Sequence, residues 1–218
     1  MKKVAIIVAG GSGSRMNAPL PKQFLLIADE PVLFHTLRKF EGEVNQVVLV
    51  MHPDWIAHWE QLISQYQFPI HHSIIAGGAS RAESVYNGLQ AIEGDCLIAV
   101  HDAARPLVSK ELIKRTFEVA AESGACIPAI TVKESMRQIN EHGVHHVVDR
   151  NQFRIVQTPQ VFQSELLRAA YKQINRHLYL DDASLVEANG KSICIIDGEE
   201  SNIKITTPTD LLIAQQLI

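Results

Sequence analysis

Short β-branched runs alternate along this chain with segments of helical period, and no other feature limits the possible folds as sharply. The runs VAIIVA (residues 4–9), QVVLVM (46–51), IHHSIIA (70–76), CLIAVH (96–101) and ACIPAI (125–130) read as strands. Between them Leu33, Leu37 and Phe40 recur at helical spacing, as do Trp55, Trp59, Leu62 and Ile63, and then Ala82, Val85, Leu89 and Ile92. These stripes are core, not ligand contacts. The pattern predicts an α/β fold, a mostly parallel sheet with helices on both faces. A chain of 218 residues, 46% of them hydrophobic, can bury a substantial core, and no linker or repeat divides it. One domain spanning 1–218 is expected.

Helix starts are well marked. Ser80 and Glu83 have the spacing of a capping box, while Thr207-Pro208-Thr209-Asp210 supplies a cap residue, a first-turn proline and an acid near the positive end of the last helix. One stretch breaks the alternation. Across about 131–158, two polar strand-like runs flank His142-Gly143 with no helix between them, which predicts a projecting β-arm. A two-stranded ribbon is marginal by itself in water, so the arm is expected to pack against a second subunit and make a homodimer.

Charge and composition exclude several classes. A net charge of -4 gives no general attraction to nucleic acid or anionic lipid, so an anionic substrate must be met by local cations. No run approaches the roughly 18 apolar residues of a membrane span, and the opening MKKVAIIVAGG reaches glycines before any cleavage site, so a soluble, cytoplasmic protein is expected. Cys96, Cys126 and Cys194 are odd in number and widely separated in apolar runs, as reduced core thiols would be. The pairs His71-His72 and His145-His146 lie in alternating stretches and should each place one ring outward and one inward.

Four loops carry the chemistry. Directly behind the first strand, AGGSGSRMNAPLPK holds three glycines, Arg15 and Lys22. It lacks the third glycine of a dinucleotide fingerprint, since Met16 stands there, and the GK[ST] ending of a P-loop. A tight strand-to-helix turn would also use glycine. The two cations argue for more, because ligands bind at the carboxyl ends of parallel strands and exposed N–H groups with cations suit a triphosphate. The second loop, AGGASRAES (76–84), ends at a helix N-terminus, which favours anions and acceptors. HDAARP (101–106) puts Asp102 and Arg105 near the same edge, where an ordinary local ion pair is the competing reading. SNIKITTP (201–208) presents Lys204 from a strand before the last helix, otherwise a plain surface lysine.

The segments AGGSGSRM, PKQF, GGASRAESV, HDAARP, VDRN, QTPQVF and NIKITTPTD, in this order and over almost the whole chain, closely resemble the 2-C-methyl-D-erythritol 4-phosphate cytidylyltransferases of the non-mevalonate isoprenoid pathway. The resemblance implies a Rossmann-like nucleotide-binding sheet of the nucleotide-diphospho-sugar transferase type and a β-arm that builds a homodimer. It also implies a reaction, dependent on Mg²⁺ or another divalent cation, of CTP with methylerythritol phosphate. By the resemblance Ala9, Gly10, Gly11 and Gly13 cradle the nucleotide, and Arg15, Lys22 and Lys204 act at the reacting phosphorus. Gly78 and Ser84 would address the cytosine, and Asp102 and Ala103 the ribose and metal side, with Asp102 the metal ligand. Arg105, Ser135, Arg150 and Thr158 would hold the polyol phosphate, some of them from the partner's arm.

Two departures stand out: the first loop has glycine at Gly10, where the family usually has alanine, and valine at Val8, where it often has proline, and the arm has serine at Ser135, where it usually has threonine. Both should alter stiffness or positioning more than chemistry. The substrate's phosphate is already an anionic nucleophile, so no general base is required and no histidine needs that role. Two rival readings are a ribitol 5-phosphate cytidylyltransferase, against which HDAARP and VDRN argue, and an inert CTP-binding protein, against which Arg15, Lys22 and Lys204 argue together.

Overall fold

The computed structural model describes residues 1–11, 20–172 and 178–218. Its first half runs β1 (Lys2–Ala9), β2 (Leu26–Ile27), β3 (Glu30–Pro31), α1 (Val32–Phe40), β4 (Gln46–Met51), α2 (Ile56–Tyr66), β5 (Ser73–Ala76), α3 (Arg81–Gln90) and β6 (Cys96–Asp102). The second half runs α4 (Lys110–Ser123), β7 (Ala125–Thr131), β8 (Met136–Ile139), β9 (His145–Val148), β10 (Arg154–Val156), β11 (Gln160–Gln163), α5 (Ser164–Tyr171), α6 (Asp182–Ala188), β12 (Cys194–Asp197) and α7 (Pro208–Leu217). The main sheet has the order β10-β7-β11-β6-β1-β4-β5, with β12 also paired to β7. Its centre is parallel, β1 lying between β4 and β6, while β11 enters antiparallel between β6 and β7. The sheet is mostly parallel, as the sequence reading expects, and mixed through the antiparallel β10 and β11.

Successive strand residues feed opposite layers, as the pleat requires. Ala5, Ile7 and Ala9 of β1 join Leu49 and Met51 of β4 against Leu33, Phe34 and Leu37 of α1, Trp59 of α2 and Leu112 and Phe117 of α4. Val4 and Ile6, with Val48, Val50, Ile98 and Val100, face the other way against Val85 and Leu89 of α3, Leu167 of α5 and Leu185 of α6. Both faces are covered, which is why these strands read as unbroken apolar runs. From β1 the chain steps outward through β4 to β5, and α3 then returns it to β6 on the far side of β1. The carboxyl ends of β1 and β6 thus flank a topological switch point, where open α/β sheets leave a crevice.

Several expectations are corrected at their edges. Ser80 caps α3 by accepting from the Glu83 N–H at 3.1 Å, but the Glu83 carboxylate reaches one residue further back, to the Ala79 N–H at 2.9 Å, so the reciprocal box does not form. At α7 it does form, between Thr207 and Asp210. His71 and His72 precede β5 instead of lying in it; His72 turns inward and its Nε2 accepts from the Trp59 indole at 3.0 Å. His145 and His146 are both exposed, because among the described residues β9 pairs with β8 alone and joins no core layer. Lys204 lies on an extended segment without ladder partners, not on a strand. Cys96 and Cys126 are buried free thiols, whereas Cys194, opposite Cys126 across the β7–β12 ladder, is half-buried. The β-arm is a β8–β9 hairpin closed at Asn140–Val144, with Gly143 in the left-handed region at φ 77°. Its return leg, β10, rejoins the main sheet on β7. Among the described residues no helix is long and apolar enough to cross a membrane.

Candidate active site

The glycine turn begins where β1 ends. Gly10 and Gly11 follow Ala9, and the buried Gln23 side chain ties the far side of the loop back by donating to the Ala9 carbonyl at 2.9 Å. Lys22 opens the single 3-10 turn that carries Gln23. Across the crevice, Gly77 N–H donates to the Met51 carbonyl at 2.7 Å at the end of β4. Ser84 Oγ accepts from Gly78 N–H at 3.1 Å and donates to the Ser80 carbonyl at 2.9 Å. The α3 N-terminus and the second glycine loop are thereby one rigid piece. At Gly10 an added Cβ would stand 3.3 Å from Ser84 Oγ, so glycine there relieves a tight approach between the two loops.

These pieces wall a cleft of about 450 Å³ lined by Ala9, Gly10, Gly11, Lys22, Gly78, Ser84, Asp102, Ala103 and Lys204, together with Arg81. A second cleft, of about 530 Å³, is lined by Arg105 and Thr158 and shares Arg81, Asp102 and Lys204 with the first. Asp102 is therefore the junction. It closes β6, is 9% exposed, and faces three cations: Lys204 Nζ at 2.9 Å and Arg105 Nε at 3.5 Å from Oδ2, and Arg81 Nε at 3.8 Å from Oδ1. Burial alone would raise its carboxyl, but Arg81, Lys204 and Arg105 outweigh that and hold it well below the usual carboxylate range.

Beneath Asp102 a buried polar network fixes the strand end. The Asp102 N–H donates to Thr158 Oγ1 at 3.1 Å. His101 Nε2 faces the Arg105 carbonyl at 3.3 Å and, since a carbonyl can only accept, carries the ring proton; Nδ1 then accepts from the Thr158 hydroxyl at 3.1 Å. Arg105 Nη1 also donates to the Asn202 carbonyl at 2.6 Å, and Asn202 Nδ2 to the Thr158 carbonyl at 2.9 Å. This network holds the Lys204 segment against β6.

The structure thus brings together the described residues assigned from the glycine loops, from HDAARP and from NIKITTPTD. Thr158 lines the second cleft, although its hydroxyl is engaged internally by Asp102 and His101. Gly13 and Arg15 lie outside the described residues. Ser135 and Arg150 stand at the base of the hairpin and line neither cleft of their own chain; Arg150 donates instead to the Lys133 carbonyl. The sequence reading missed Arg81, which both clefts share, and Asp182, which binds it at 2.7 Å. The position of Arg81 directly after the α3 N-cap was a usable signal; its partner was not.

Among the described residues no cluster of three or more His, Cys, Asp or Glu side chains could hold a metal by itself. A hard divalent cation at a nucleotide needs only one or two carboxylates, the phosphates and water supplying the other oxygens. Asp102, ionised and open to both clefts, fits that requirement.

The family model described as IspD: 2-C-methyl-D-erythritol 4-phosphate cytidylyltransferase matches residues 3–218. The chain belongs to this family. The cytidylyltransferase of that name from Porphyromonas gingivalis is 46% identical over 218 residues, covering 100% of this chain and 98% of the relative. The one from Geobacillus kaustophilus is 40% identical, covering 100% and 97%. Among solved structures, the Thermus thermophilus enzyme of that name superposes with a TM-score of 0.82 at 33% identity, covering 100% of this chain and 98% of its own. Family membership agrees with the fold and the reaction class implied by the sequence motifs.

Proposed function

We propose that this protein transfers the cytidylyl group of CTP to 2-C-methyl-D-erythritol 4-phosphate, releasing pyrophosphate and giving 4-diphosphocytidyl-2-C-methyl-D-erythritol for isoprenoid precursor synthesis in the cytoplasm. The observation that carries the reading is the pair of clefts meeting at Asp102 and Lys204, one behind a glycine turn and one beside Arg105. Two polyanions must be brought together for this reaction, and two adjoining cavities with cations between them meet that demand.

In the first cleft CTP lies along Gly10 and Gly11, a role the sequence motif extends to Gly13, and its base meets Gly78 and Ser84. The polyol phosphate enters the second cleft beside Arg105 and Thr158. One of its phosphate oxygens attacks the α-phosphorus of CTP; the new P–O bond forms as the bond to the β-phosphate oxygen breaks, and pyrophosphate carries away the electron pair. No proton need be abstracted from the nucleophile. Lys22, Lys204 and Arg15 stabilise the charge that develops, a task of positioning and electrostatics. Lysine supplies a compact point charge and arginine a fork, so neither replaces the other freely. Asp102 would hold Mg²⁺, which when bound neutralises phosphate charge. Ser135 and Arg150, remote from the clefts of their own chain, serve the site of a partner subunit across a homodimer built on the hairpin.

Purified protein incubated with CTP, Mg²⁺ and one polyol phosphate at a time tests the assignment through pyrophosphate release. Methylerythritol phosphate should support turnover and ribitol 5-phosphate should not. Release with ribitol 5-phosphate alone, or with neither acceptor, contradicts the assignment.

A further inference from the structure

Asp181 and Asp182 stand side by side at the start of α6, and only the first is needed to begin the helix. The Asp181 carboxylate accepts from the Ser184 N–H at 2.9 Å and completes a reciprocal cap. Asp182 takes no part in it, yet is 0% exposed. A carboxylate is not buried without partners. Those of Asp182 come from distant parts of the chain: Oδ2 accepts from Arg81 Nη2 at 2.7 Å, and Oδ1 accepts from the Tyr171 hydroxyl at the end of α5. The same Arg81 guanidinium brings Nε to 3.8 Å from Asp102 Oδ1. It is thus gripped from behind and stands in the wall common to both clefts.

We propose that Asp182, braced by Tyr171, is a positioning residue for cytidylyl transfer: it draws Arg81 back from Asp102, so that Asp102 keeps its aim on Lys204 and Arg105 at the junction of the clefts. The inference rests on the reaction proposed above. With the Asp182 charge gone, Asp102 and Asp181 are the described acids still acting on Arg81, and Asp102, whose Oδ1 already lies 3.8 Å from Nε, draws the guanidinium across that gap. Asp102 then turns toward Arg81, and Lys204, 2.9 Å from its other oxygen, loses the anchor that aims it. The penalty falls on turnover more than on nucleotide binding. CTP is held largely by the glycine turns, whereas a displacement of about 1 Å in a charge stabiliser costs on the order of 10²-fold in rate.

The test compares the full-length wild type with Asp182→Asn, Arg81→Gln and the double variant, by steady-state kinetics and by calorimetric titration with CTP. Asp182→Asn should lower kcat roughly 10-fold or more while the Kd for CTP stays within about threefold. In the Arg81→Gln background the same substitution should cost nothing further, because Asp182 acts through Arg81. An unchanged kcat in Asp182→Asn, or losses that multiply in the double variant, overturns the proposal. Should Asp182→Asn fail to fold, Tyr171→Phe carries the test: kcat falls with CTP affinity kept, again only when Arg81 is present, and any other result counts against the brace. A wild type that turns over neither acceptor refutes the assigned reaction itself, and this inference with it.

Discussion

His101 supports the candidate site from beneath without lining either cleft. Its ring is fully buried beneath Asp102, and burial pushes its imidazole down to about 4. In the unfolded chain the same ring titrates near 6.5. Between these values the unfolded state binds a proton that the folded state excludes, so stability is complete above about 6.5 and is lost as pH falls toward 4, by up to about 3 kcal/mol. Asp102, held lower still, adds its own loss only at more acidic pH. Denaturant unfolding across pH 4.5–7 checks this: His101→Gln should be less stable at pH 7 and show a flatter pH dependence. Parallel curves for the two proteins would show that His101 is not the titrating group. At this scale the sequence was legible where a residue's position spoke for it. Gly10 and Gly11 follow β1, Asp102 ends β6, and Lys22 and Lys204 stand in segments whose composition already marked them. Arg81 and Asp182 did not show themselves, because a contact between residues 101 apart leaves no local trace.

Among elements, the hairpin departs furthest from the layered plan. Register places Arg137, Ile139, His145 and Val147 on one face of β8–β9, and that face leaves Ile139 66% and Val147 69% exposed. Among the described residues neither belongs to a core cluster, and a two-stranded ribbon gains little by itself. On the proposed homodimer the wild type should sediment as a dimer and Val147→Asp as a monomer, with the far-ultraviolet spectrum unchanged. A wild type that sediments as a monomer, or a variant that still dimerises, would remove the hairpin from that role. The existence of this arm was visible in its polar alternation around His142-Gly143, but its extent was not. Residues 154–156 form another short exposed strand-like run, and only long-range pairing assigns them to β7. The α3 cap failed to close as a box for a similar reason: the Glu83 carboxylate finds the Ala79 N–H of the glycine loop, a competition that spacing cannot show.

For the whole molecule, strand identity came from composition and strand order did not. QVVLVM is β4 to the residue, yet nothing local says that β11 slips antiparallel between β6 and β7, or that β12 returns to β7. The fold's consequence for chemistry is one crevice at the ends of β1 and β6, onto which four sequence-distant loops converge, so that two polyanions can meet over a single carboxylate and its cations. The most direct measurement is a crystal structure of the protein with CTP. Its triphosphate should lie between the Gly10–Gly11 turn and Lys204, with the amines of Lys22 and Lys204 within about 4 Å of oxygens on the α-phosphorus, the range of an ion pair. Nucleotide bound elsewhere, or an α-phosphorus remote from both lysines, would contradict the account.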